Sequence, residues 1–314
     1  MRSQQNGDQV VPSIRITEVG PRDGLQNEAG IVSTEAKVSF VNTLSQSGVA
    51  EIEVGSFVSR QAIPQLADSD EVFRRIERRA GVIYSALVPN ERGLERARAA
   101  AVDKIAVFTA ASDTFVQRNI HCTLRESIER FKPVVSQAKR DGMAVRGYVS
   151  TVTHCPFEGA VAPLRVVQVM QELLELGVDE ISLGDTIGKA APGDVRRLLD
   201  AVTPHLGRTA LSLHFHDTYG MAVANVLAAW IEYGILSFDT SAGGLGGCPY
   251  APGASGNVAT EDVVYALRAS GASVDVDERI VVHAARQMGM VLNRPLSSRL
   301  SCVYERHTTY EAVR

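Results

Sequence analysis

A chain of 314 residues with 45% hydrophobic and 22% charged content can bury a large core, and its length fits one α/β barrel as readily as two smaller domains. Its net charge of -4 at pH 7 argues against a nucleic-acid partner, which needs a concentrated basic surface. No stretch is apolar enough to span a membrane, and the opening MRSQQNGDQVVPS lacks the apolar segment of a secretory signal, so a cytoplasmic setting is expected.

Residues 1–13 read as a polar lead. From there short β-branched runs alternate with helical patterns, and 14–19, 50–54, 82–87, 104–108, 144–149, 180–183, 210–215 and 235–240 predict eight strands. Between them, stripes such as Val166, Val169, Met170, Leu173 and Leu174 have the spacing of a helix with one buried face. Arg74-Arg75 and Arg78-Arg79 fall within such a pattern and read as solvated helix surface. Strict alternation implies parallel strands with crossover helices, and eight units predict a (β/α)₈ TIM barrel over 14–270. Residues 271–314 are expected to be a C-terminal helical extension packed on it; a doubly wound open sheet is the structural alternative. Cys122, Cys155, Cys248 and Cys302 are too sparse for a disulfide framework or a Cys-x-x-Cys metal site, which fits a reducing compartment.

In a barrel of this kind the chemistry lies at the C-terminal strand ends. The seventh predicted strand continues as Leu213-His214-Phe215-His216-Asp217, and alternation puts Ser212, His214 and His216 on one face. Two imidazoles pointing the same way suit a single metal ion, although such pairs also occur as hydrogen-bonded polar residues. After the first strand, Gly20-Pro21-Arg22-Asp23-Gly24 predicts a sharp loop displaying Arg22 and Asp23; alone it reads more readily as an ordinary Asp-Gly turn. Glu53 ends the second strand and Asp185 the sixth. Carboxylates, guanidinium and imidazoles are therefore expected to converge at one face. Mixed oxygen and nitrogen donors suit Mg²⁺ or Mn²⁺ better than a structural zinc.

After the eighth strand, residues 242–257 hold six glycines in sixteen positions, which marks a loop that turns tightly, approaches a ligand or moves. It matches neither the dinucleotide fingerprint nor a P-loop. Cys248 lies within it between glycine and proline, a setting better suited to a proton donor or nucleophile than to a core thiol.

The stretches 17–28 (TEVGPRDGLQNE), 55–59 (GSFVS), 182–188 (SLGDTIG), 214–220 (HFHDTYG) and 244–257, followed by ATED at 259–262, resemble the 3-hydroxy-3-methylglutaryl-CoA lyase family over about residues 13 to 293. That family belongs with metal-dependent barrel lyases and synthases such as isopropylmalate and homocitrate synthases. The resemblance implies retro-Claisen cleavage of an acyl-CoA thioester to acetoacetate and acetyl-CoA, and a homodimer. It implies Asp23, His214, His216 and Asn257 as metal ligands, and Arg22 as the stabiliser of the enolate oxygen. Glu53 and Asp185 become further active-site carboxylates, and Cys248 the proton donor. It also places Gln26, Ser56, Asn119, Tyr148, Ser182 and Thr186 along the substrate with Arg22. Ala29 stands where animal members carry a lysine near the CoA phosphates.

Which group takes the hydroxyl proton stays open among Asp23, His214 and a water on the metal. The alternatives are a lyase for a related 3-hydroxyacyl-CoA, such as citramalyl-CoA, and a non-catalytic CoA- or metal-binding barrel. The first differs by little, because a methylene in an apolar pocket is worth about 1 to 3 kcal/mol.

Overall fold

The computed structural model describes residues 13–247, 256–296 and 298–304; the polar lead before residue 13, Cys248 and the chain end after 304 lie outside the described residues. Its strands in chain order are β1 (Arg15–Glu18), β2 (Glu51–Ser56), β3 (Ile83–Leu87), β4 (Lys104–Ala110), β5 (Ala144–Ser150), β6 (His154–Cys155), β7 (Gly159–Ala160), β8 (Glu180–Asp185), β9 (Ala210–Phe215) and β10 (Ser237–Thr240). β6 and β7 form a small antiparallel hairpin, and the other eight close in the order β1-β10-β9-β8-β5-β4-β3-β2 with every pair parallel. β1 pairs with β10 on one side and β2 on the other, so the sheet has no edge and the open-sheet alternative is ruled out.

All eight barrel strands fall where the sequence predicts them. β2, β4 and β8 run two residues further at the mouth than the apolar pattern does, because backbone pairing continues through Gly55-Ser56, Thr109-Ala110 and Gly184-Asp185.

The crossover helices are α1 (Thr34–Leu44), α2 (Ser69–Arg75), α3 (Glu91–Ala99), α4 (Asp113–Ile120), α5 (Leu124–Arg140), α6 (Pro163–Glu175), α7 (Pro192–Val202) and α8 (Ala222–Tyr233), followed by α9 (Thr260–Ala269) and α10 (Glu278–Val291). Their starts follow from local chemistry: Ser33, Asn90, Ser112 and Thr123 each accept a backbone N–H as N-cap, and Pro163 and Pro192 open their helices where a missing N–H costs nothing. α6 buries the Val166, Val169, Met170 and Leu173 stripe as its spacing predicts. α10 packs against α1 and α9, closing the helical ring over the β1–β10 seam. The approach to α10 is tied beneath the barrel, where Ile14 N–H donates to Ser273 O at 2.8 Å.

The barrel interior is largely polar, with a small apolar patch where Leu87, Ala106 and Phe108 pack beside Tyr148. Alternation turns Thr17, Glu51, Glu53, Lys104, Arg146, Tyr148, Glu180, Ser182, Ser212, His214 and Asp239 inward, all of them buried. Lys104 Nζ meets Glu51 at 2.8 Å and also Glu180; Arg146 donates to Glu180 (2.8 Å), Asp239 (2.9 Å), Tyr148 (3.0 Å) and Thr17 (3.1 Å). Buried charge carries a desolvation cost that well-packed apolar residues avoid. This lattice therefore serves placement more than stability, and it leads upward to the mouth.

Candidate active site

Beyond β1 the chain makes no open loop. The Val19 carbonyl accepts N–H groups from Arg22 (3.1 Å), Asp23 (2.8 Å) and Gly24 (3.1 Å), forming one π-helical turn over Gly20–Gly24. Pro21 lacks an N–H and so loses no bond at the start of this turn. Gly24 is needed for close approach, since a Cβ there would lie 2.9 Å from Leu245 Cβ and from Ser241 Oγ. Single π turns of this type recur at functional sites.

The turn aims Arg22 and Asp23 at the end of β9. Asp23 Oδ2 lies 4.0 Å from His214 Nε2 and 3.8 Å from His216 Nε2, and accepts Asn257 Nδ2 at 2.9 Å. His216 and Asn257 also form an antiparallel bridge just past β9, so the strand end and the returning glycine loop share backbone register. Asn257 Nδ2 further donates to Leu245 O at 3.1 Å, whereas its Oδ1 is buried without a partner. Arg22 places Nε and Nη2 each at 2.6 Å from Glu53 Oε2, and Nη1 at 2.5 Å from Asp23 Oδ1. Tyr148 lies under this layer, its ring 5.7 Å from the Arg22 guanidinium and edge-on to His214.

Protonation follows from these neighbours. Burial disfavours the charge of Asp23, but Arg22 first, then His214 and His216, outweigh it and hold the carboxyl well below its usual range. Burial opposes the Arg22 charge as well, and Glu53 and Asp23 more than restore it. Burial and then the neighbouring His214 depress His216 to about 4, leaving a neutral imidazole. For His214 burial is outweighed by Asp239 and Asp23, and its pKa is raised. In Glu53 burial prevails over Arg22 and raises the carboxyl.

Asp23, His214 and His216 form the one group of metal-capable His, Cys, Asp or Glu side chains among the described residues. The set fits a divalent cation: a carboxylate kept ionised, two imidazole Nε2 atoms facing it, and a buried amide oxygen on Asn257 with nothing to accept from. It contains no thiol.

Asp185 does not join the cluster as expected. Ser182 and Gly184 are the inward positions of β8, so Asp185 faces outward into the neighbouring loops, where it accepts Thr153 Oγ1 (3.1 Å), Lys189 N–H (3.3 Å) and Ala190 N–H (2.9 Å). It shapes the loop after β8. Thr186, in that loop, accepts the N–H of Thr151 at 2.8 Å, supporting a β-branched residue held at φ 56°. Ser182 donates to Asp239 at 2.8 Å beneath His214, and Ser56 accepts the Val58 N–H at 3.3 Å at the end of β2. Gln26 keeps a buried, unpartnered Oε1. Asn119 is exposed near the end of α4. Of the glycine loop, the stems up to Gly247 and from Gly256 are described, and Cys248 is not.

Sequence reasoning missed Asp239, which accepts Arg146, Ser182 and Ser212 (3.1 Å) and faces His214 Nδ1 at 3.5 Å. The signal was polar residues at period 2 inside apolar strands: Glu51-x-Glu53, Arg146-x-Tyr148, Ser212-x-His214 and Ser237-x-Asp239. It also missed Glu18, buried on the outer side of β1.

Against known proteins, the family model described as HMGL-like matches residues 13–288. The chain belongs to the HMGL-like family. An HMGL-like relative from Pseudomonas aeruginosa, named 3-hydroxy-3-isohexenylglutaryl-CoA/hydroxy-methylglutaryl-CoA lyase, is 49% identical over 91% of this chain and 95% of the relative. The hydroxymethylglutaryl-CoA lyase of Pseudomonas mevalonii is also 49% identical, over 91% and 93%. A crystal structure of hydroxymethylglutaryl-CoA lyase from Pseudomonas aeruginosa superposes with a TM-score of 0.91 at 47% identity, covering 95% of this chain and 99% of that one. The barrel, the π turn and the His-Asp-Asn cluster described above thus belong to an HMGL-like protein.

Proposed function

We propose that this chain is a hydroxymethylglutaryl-CoA lyase, cleaving 3-hydroxy-3-methylglutaryl-CoA to acetoacetate and acetyl-CoA. The observation that carries the proposal is the meeting of Asp23, His214, His216 and Asn257 beside the doubly anchored Arg22, within a chain whose HMGL-like relatives bear that name.

Asp23, His214, His216 and Asn257 would hold Mg²⁺ or Mn²⁺, which supplies Lewis acidity toward the substrate's tertiary hydroxyl. Transfer of the hydroxyl proton to a base, Asp23, His214 or a water, lets the C–O bond become a carbonyl as the adjacent C–C bond breaks. The released electron pair passes into the acetyl-CoA enolate. Arg22 faces this charge with a guanidinium that Glu53 and Asp23 keep protonated and fixed, so little reorganisation is needed. Cys248, on the glycine loop, then donates a proton to the enolate carbon. Asp185 contributes indirectly through its loop.

A second reading, a related substrate with a longer branch at C3, is favoured by the double name of the Pseudomonas aeruginosa relative. We further propose a homodimer in a reducing cytoplasm, using the outer face of α10, where Met290 is 74% and Val291 50% exposed. Sedimentation showing only a 33.8 kDa species at micromolar concentration would overturn the dimer.

The deciding experiment for the activity is turnover of 3-hydroxy-3-methylglutaryl-CoA by protein stripped with chelator and reloaded with Mg²⁺ or Mn²⁺. Acetoacetate and acetyl-CoA should appear in equal amounts, stop on chelation and return with metal. Full activity after chelation would remove the metal from the reaction, and no cleavage under any loading would remove the assignment.

A further inference from the structure

Thr17 points into the barrel, and the next residue, Glu18, therefore points out toward the helices, where it is wholly enclosed. A carboxylate in that position must find donors, and it finds three. Glu18 Oε1 accepts Gly20 N–H at 2.8 Å and Ala242 N–H at 2.9 Å, while Oε2 accepts Thr260 Oγ1 at 2.7 Å. The Thr260 hydroxyl also lies 2.7 Å from Thr240 Oγ1.

Each donor belongs to a different part of the site. Gly20 begins the π turn that carries Arg22 and Asp23. Ala242 begins the outgoing stem of the glycine loop, whose Leu245 carbonyl holds the Asn257 side chain. Thr260 follows Asn257 by three residues on the returning stem. Contact at Gly20 is so close that a Cβ there would fall 2.6 Å from Glu18 Oε1. Glu261 repeats the arrangement one layer out, accepting Gly243 N–H at 3.0 Å and Ser301 Oγ at 2.8 Å.

We propose that Glu18 is a positioning residue: by gathering Gly20, Ala242 and Thr260 on one carboxylate, it fixes the separation of Asp23 from Asn257. These two side chains come from segments 234 residues apart, yet must be held to within about 0.5 Å to share an ion. Glu18 touches neither of them. It acts on the backbone of the segments that present them. The proposal rests on the reading of Asp23 and Asn257 as ligands of one cation, and its test separates the two.

The test is peptide-level hydrogen exchange of the metal-free full chain together with Mn²⁺ titration, for wild type, Glu18→Ala, Glu18→Gln and Thr260→Val. Glu18→Ala should exchange at least tenfold faster in peptides covering 19–25, 241–247 and 256–262, with α5 and α6 unchanged, and should bind Mn²⁺ at least tenfold more weakly. Glu18→Gln should restore both to within about threefold, because the amide oxygen can accept both N–H groups and the amide nitrogen can donate to Thr260 Oγ1, whose proton then turns to Thr240. Wild-type exchange and affinity in Glu18→Ala would overturn the proposal, as would a Gln variant no better than Ala. If Glu18→Ala does not fold, Thr260→Val decides: faster exchange in 256–262 with weaker Mn²⁺ binding supports it, and wild-type behaviour overturns it. If wild type itself binds no Mn²⁺, the ligand reading fails and the exchange pattern alone judges Glu18.

Discussion

Arg22 meets Glu53 side-on, with Nε and Nη2 both at 2.6 Å from one carboxylate oxygen, and thereby leaves Nη1 free to reach Asp23. One planar cation thus spans two carboxylates in a way that a lysine ammonium cannot reproduce. We expect Arg22→Gln to lower kcat by about 10² to 10³, the loss typical of a missing oxyanion donor, and Arg22→Lys to recover little of it. Mn²⁺ affinity should change much less than kcat. Steady-state kinetics at saturating metal check this, and wild-type kcat in Arg22→Gln would rule Arg22 out as the enolate partner.

Asp239 faces His214 Nδ1 at 3.5 Å while three other donors hold its carboxylate. A carboxylate behind a ligating imidazole sets the ring's tautomer and orientation, so that Nε2 stays turned toward Asp23. Asp239→Asn keeps the volume and removes the charge. Mn²⁺ affinity should fall about 10-fold to 100-fold, read by titration of the metal-free protein. Unchanged affinity would mean that the strand alone orients His214.

Burial is the largest influence on Glu18 and raises its carboxyl from 4.5 to about 7, against the hydrogen bonds from Thr260, Ala242 and Gly20. A folded pKa above the unfolded one means that folding favours the protonated form. The associated stability is complete below about 4.5 and is lost as pH rises through 7. Urea denaturation of metal-free protein should therefore show wild type losing about 3 kcal/mol relative to Glu18→Gln between pH 4.5 and 8. A flat difference across that range would show that Glu18 does not titrate there.

Cys248→Ser should lower kcat by at least about a hundredfold, because serine keeps the size of the donor while raising its pKa by several units. Metal binding should be unaffected, since the proposed ligands are oxygen and imidazole. Normal turnover, or loss of the metal, would show that Cys248 is not the proton donor.

The eight strands were legible because each apolar run is short, β-branched and followed by a helical stripe. The His214 and His216 pair was legible for the same reason, through parity along β9. Asp185 was misplaced because its position was judged by where the strand ends and not by parity; with Ser182 inward, residue 185 must face outward. The π turn was hidden, since nothing local in Gly20-Pro21-Arg22-Asp23-Gly24 distinguishes it from a loop until Val19 is seen to accept three N–H groups. Asp239 and Glu18 were hidden for a related reason: all the partners of Asp239, and all those of Glu18 except Gly20, come from strands and loops far away in the chain.

The charge lattice in the barrel also limits how this protein can be re-engineered. Arg146 serves Asp239, Glu180, Tyr148 and Thr17 at once, and Glu180 is shared with Lys104, which also serves Glu51. None of these charges has a private partner. Replacing any one of them strands others in a dry interior at a cost of about 3 to 5 kcal/mol, whereas exchanging cations and anions together for apolar groups of matching volume can be neutral. As a scaffold, the barrel would accept new rim loops one at a time, but its interior only as a block.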